Sequence, residues 1–130
     1  FISLLFALLT FVILGSLFGN FVFLPEFATW HEAYPDAVRE TPDFVSGFVL
    51  GLLQLIAFVV LLPKLQITSG SGAAMFGAVY SVVIWLIVDL QMVSVTNIVS
   101  YEYVLKDALL SAVMGAILGV VVSWSQRRFA

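Results

Sequence analysis

The chain has no cysteine. That excludes a disulfide, a thiol redox centre, an iron–sulfur cluster and zinc held by thiolates. Histidine is nearly absent as well: the single His31 stands outside the apolar runs. A haem held by two histidines between helices of this chain is therefore excluded, and so is histidine ligation of a buried chlorophyll. No cofactor is expected within this chain alone, although contact with a bound lipid or pigment stays open. Charge is scarce too, with 10% of the 130 residues charged and a net charge of −3. The five basic residues form no patch that could track a phosphate backbone, so nucleic acid is not an expected partner. No nucleophile–base pair, phosphate loop or metal cluster stands out, and no enzymatic activity is expected.

What the chain has in excess is apolar surface. Hydrophobic residues make up 62% of it, and the mean hydropathy is +1.15. A water-soluble domain needs more polar surface than this, so the lipid bilayer is the expected solvent. Four apolar runs, at 2–24, 44–62, 73–95 and 105–124, are each long enough for roughly 30 Å of helix. Period-two alternation is missing and backbone groups must be satisfied inside lipid, which favours helices over a barrel. The expected fold is all-α: a polytopic membrane protein, residues 1–130 forming one domain of four transmembrane helices in an up-down bundle. Residues 1–23 resemble a signal peptide in composition, but the run is too long and lacks a small-x-small cleavage site. They are expected to be a genuine span that has lost a few preceding residues.

The basic residues orient the chain. Lys64 follows the second run, and Arg127 and Arg128 follow the fourth. The opposite side carries Glu26, Glu32, Asp36, Glu40, Asp43, Glu102 and Asp107 against Arg39 and Lys106. The positive-inside rule then puts both termini in the cytoplasm, in a bacterial cytoplasmic (inner) membrane. The outer segment 25–43 carries Phe27, Trp30 and Tyr34 at i, i+3, i+7, with Glu32 and Asp36 on the far side. This pattern predicts an amphipathic helix lying at the headgroup level with its aromatic stripe as the anchor. A lid or docking surface is the functional alternative. His31 beside Glu32 makes a poor metal site, since adjacent helical residues point apart.

Small residues recur four apart in every span: Gly15 and Gly19; Gly47 and Gly51; Ala73, Gly77 and Ser81; Ser111, Gly115, Gly119 and Ser123. Such stripes let helix backbones approach closely in lipid. Polar residues inside the spans are few. Asp89 stands in the third, and a charge in hydrocarbon is costly enough that it faces protein or water. With the outer turn centred near Ile98, antiparallel pairing brings Asp89 level with Asp107 and next to Lys106. An Asp89–Lys106 ion pair is the favoured expectation; if Asp107 approached instead, the two carboxylates would compete. Gln54 falls level with Tyr80, and a hydrogen bond between them is expected. Gln91, with Tyr80 and Ser94, falls nearly opposite Asp89, so the third span is central or also touches another protein.

Gly77, Asp89-Leu90, a basic residue directly before Asp107, and Gly115 together resemble uncharacterised four-span bacterial inner-membrane proteins of the domain-of-unknown-function type. In those, two aspartates stand a similar distance apart on the last two helices. The chain departs from that pattern at Val88, where a tyrosine is expected, and at Met92 and Val93, where an asparagine is missing. The resemblance implies fold and topology and no activity. The expected function is that of a non-catalytic accessory or structural subunit packing against a larger membrane complex, with other membrane subunits or further copies of itself as partners. The alternative is a small oligomeric proton- or cation-coupled transporter or channel using Asp89. A lipid-modifying enzyme finds no acid–base geometry among Glu26, His31, Glu32 and Asp36.

Overall fold

The computed structural model describes residues 1–129, and its regular structure is entirely helical. In order the elements are α1 (Ile2–Phe18), a π-helical turn (Gly19–Phe23), α2 (Leu24–Ala33), α3 (Phe44–Lys64), α4 (Gly70–Val95) and α5 (Tyr101–Arg128). Four stretches are long and apolar enough to cross a membrane: Ile2–Ala33, Phe44–Lys64, Gly70–Val95 and Tyr101–Arg128.

The first of these departs from the sequence expectation. Helix continues through Pro25 to Ala33, so the segment expected as an interfacial helix follows the first apolar run without a break in the helix. Proline inside an α-helix removes one hydrogen bond and drives its ring into the carbonyl four residues back. Here the preceding turn widens, with the Leu24 N–H reaching the Gly19 carbonyl five residues back, and the wider turn accommodates the ring. The aromatic stripe therefore stays on the side that meets α5. Trp30 packs edge-on to Tyr103 at 4.7 Å between ring centroids, and Phe27 joins Trp30 at 5.1 Å. Tyr34, beyond the helix end, donates its hydroxyl to the Asn97 carbonyl at 3.2 Å. All three expected anchors thus touch the chain's own residues at the end of the bundle where α4 turns into α5.

Side-chain caps set the other helix starts. The Asp43 carboxylate accepts from the Val45 N–H at 3.2 Å and from the Ser46 hydroxyl at 2.6 Å. The Ser46 bond is the main reason the Asp43 carboxyl is held below the usual carboxylate range. Ser69 caps the Gly72 N–H and Ser100 the Tyr103 N–H, so α4 and α5 begin before their apolar runs do. The Gly-Ser stretch 70–72 forms the first turn of α4. At its far end α3 closes with a Schellman motif: Gln66 N–H bonds Pro63 O and Ile67 N–H bonds Leu62 O. The left-handed residue this requires is Gln66, at φ 58°, where glycine is usual.

Packing is uneven. The α4 and α5 backbones touch at Gly77, Gly115 and Gly119: a Cβ on Gly77 would overlap the Gly115 carbonyl, and one on Gly119 the Ala73 carbonyl. Residue numbers fall along one helix as they rise along the other, so the pair is antiparallel. By contrast, α3 reaches α4 through side chains, with Phe58 at 5.6 Å from Phe76 and 5.3 Å from Tyr80 between ring centroids. One core gathers Ala7, Leu55, Phe58, Leu62, Ala73, Leu118 and Val122; a second, by the α4–α5 turn, gathers Val99, Tyr103 and Val104 with Phe23, Phe27 and Trp30 packed against it.

Candidate functional site

The glycine seam explains where the intramembrane acids go. On α5 the buried positions Asp107, Ser111, Gly115, Gly119 and Ser123 recur every four residues and form one stripe. On α4 the buried positions Ala73, Gly77, Ser81 and Asp89 follow the same spacing, with half-buried Trp85 completing it. Because the stripes face each other antiparallel, their outer members meet. Asp89 is 6% exposed and Asp107 5%, and the two side chains lie within hydrogen-bonding reach of each other. Ser111 donates its hydroxyl to Asp107 Oδ1 at 3.4 Å. Asp89 Oδ2 is buried without a hydrogen-bond partner among the described residues.

The expected Asp89–Lys106 ion pair does not form. Lys106 Nζ lies 4.0 Å from Glu26 Oε2 and 4.0 Å from Glu102 Oε1, with its side chain 49% exposed. Successive helical residues point about 100° apart, so only one of Lys106 and Asp107 can face α4. The buried stripe selects Asp107 and turns Lys106 outward, where its solvated pairs contribute at most about 1 kcal/mol. Glu26, which sequence reasoning treats as an outer-face charge, becomes the link between α2 and α5. Tyr103, buried one turn outward of Asp107, is close enough to feel the charges of Asp107, Asp89 and Glu26 alike. Trp30, Phe23 and Phe27 pack with Tyr103 in one aromatic cluster.

Gln54 and Tyr80 do meet, by a different bond. The Tyr80 hydroxyl donates to the backbone carbonyl of Gln54 at 3.2 Å, while Gln54 Oε1 is buried without a partner among the described residues. Beside them a cavity of about 10 Å³ is lined by Gln54, Leu55, Phe58, Tyr80, Ser81 and Leu118. That is close to the smallest volume that holds one water. Gln91 and Ser94 lie exposed on the face of α4 turned away from Asp89. His31 is held by its Nδ1 against the Val38 carbonyl at 2.7 Å, so it secures the chain after α2.

The remaining packing glycines divide. The Phe11 ring lies over Gly51, with Cζ 2.6 Å from where a Cβ would stand. Gly15, Gly19 and Gly47 have no such neighbour within 4 Å among the described residues. At the end of the molecule where α1 begins and α5 ends, Ser125 bonds Ser3 at 3.0 Å and Gln126 Nε2 donates to the Val59 carbonyl at 3.1 Å. Those contacts tie α1 and α3 to α5, and no spacing signal points to them. Compared with protein-family models, curated proteins and solved structures, the chain matches none.

Proposed function

We propose that the chain is a non-catalytic integral membrane subunit that crosses a bacterial inner membrane four times as an up-down bundle, termini cytoplasmic, and packs against a larger membrane protein. The observation that carries this reading is the open glycine surface between α1 and α3. With Phe11 set against Gly51, antiparallel counting puts Gly15 level with Gly47, yet neither has a neighbour within 4 Å among the described residues. Small residues matched in level are what a close helix contact in lipid uses. Polar Ser16 and Asn20 are exposed on the same helix, and Gln91 and Ser94 on α4. Interhelical bonding from a partner would satisfy such groups better than lipid does.

A photocrosslinking residue at Gly47 or Gly15, in the full chain expressed in its native membrane, tests the reading. It is expected to trap one larger, different membrane protein. Adducts only to lipid or to a second copy would overturn it.

A second reading, an oligomeric proton- or cation-coupled transporter, is supported by the buried Asp89–Asp107 pair. For it, Asp89→Asn in proteoliposomes is expected to abolish coupled flux. Unchanged flux with altered stability would remove that reading.

A further inference from the structure

We propose that Asp89 and Asp107 hold one proton between them, so that the pair is a proton-binding site with a capacity of one proton per chain. The inference deepens the transport reading by naming the ion, and its test does not depend on flux.

Ionised carboxylates only accept hydrogen bonds. Two of them facing each other, each nine-tenths or more buried, can bond only if one carries a proton. Asp89 Oδ2 makes the same point from the other side, being a buried oxygen with no donor aimed at it. The Ser111 hydroxyl is given to Asp107. The charged and titratable groups around the pair leave no other source of compensation. Tyr103 on α5 and Glu26 on α2 are neutral and acidic respectively, and Lys106 is committed to Glu26 and Glu102.

An alkali or divalent cation is a poorer fit. Hard cations gather about six or more oxygens, whereas two carboxyls and one hydroxyl converge here, and among the described residues no third metal-binding side chain joins them. Loading forms one O–H bond on a carboxylate and leaves an acid donating to its neighbour. Unloading breaks that bond, passes the proton to water or to a partner base, and leaves two carboxylates in contact. No electron moves in either direction.

The full chain, labelled with ¹³C at the aspartate carboxyls and reconstituted in phosphatidylcholine vesicles, gives a direct reading by infrared spectroscopy. It has four aspartates, of which Asp36 and Asp43 are exposed and outside the pair. A protonated-carboxyl carbonyl band at neutral pH, lost in Asp89→Asn and in Asp107→Asn, is the expected result. A wild-type spectrum with no such band overturns the proposal without reference to any variant.

Linkage supplies a second readout. The folded chain keeps a proton that the unfolded chain releases, so wild-type resistance to unfolding falls as pH rises. Asp89→Asn offers an amide donor to Asp107 and is expected to lose that alkaline fall. Parallel pH profiles for the two proteins would also overturn the proposal. A carboxylic-acid band without proton flux would retain the site and discard transport.

Discussion

The α4–α5 seam and the α1–α3 seam carry the same sequence signal and meet different fates. Both have glycines four apart. Across α4–α5, small residues oppose each other at successive levels: Ala73 with Gly119, and Gly77 and Ser81 with Gly115. The backbones close until no Cβ fits. Across α1–α3, Gly51 is filled by the Phe11 ring, and Gly15 and Gly47 stay open. A glycine is therefore committed to packing only where its partner helix is small at the same level and no larger side chain holds the two apart.

The strongest way to break this contrast is to load the closed seam. Gly115→Leu or Gly77→Leu must displace backbone and is expected to cost about 3 kcal/mol or more, at the upper end of overpacking penalties. Unfolding of the purified chain by steric trapping would read it. Gly51→Ala should cost less, about 1 kcal/mol, because only the tip of the Phe11 ring must move. Phe11→Leu in the same chain is expected to restore most of the loss, which a double-mutant cycle measures. Gly15→Leu with Gly47→Leu should change the stability of the isolated chain by no more than about 0.5 kcal/mol, while removing the crosslinked partner from native membranes. A large loss of intrinsic stability there would erase the contrast.

The smallest effect belongs to the start of α3. Since Ser46 holds the Asp43 carboxyl below its ordinary range, the cap is in place above that range and is lost as pH falls through the lowered value. Hydrogen exchange should show the amide of Val45 opening first under acid, and Asp43→Ala should open it at every pH.

The four spans were legible because each is a run of apolar residues longer than a buried soluble helix requires. The meeting of Asp89 with Asp107 was legible from counting outward on both sides of Ile98. Which residue of Lys106-Asp107 faces inward was also written in the chain, since Asp107 extends the series Ser111, Gly115, Gly119, Ser123 by one more step of four. Weighing charge pairing above that periodicity hides it. The unbroken Ile2–Ala33 helix was not legible, because a proline after an apolar run marks a boundary between helices unless the wider turn before it is known. The contacts of Glu26, Ser3 and Gln126 were invisible for a related reason: they join residues far apart in sequence through helix placement alone.

That wider turn has a mechanical meaning. In a regular helix each residue advances the azimuth by about 100°, so a rod of 32 residues would have a single fixed phase from end to end. One extra residue in Gly19–Phe23 resets the phase partway along. The part before the turn can then be timed to α3 and α5, while the part after it is timed separately to Tyr103. The π turn acts as a coupling between two shafts, and the packing of Phe27 and Trp30 against α5 at Tyr103 owes its alignment to that one-residue offset.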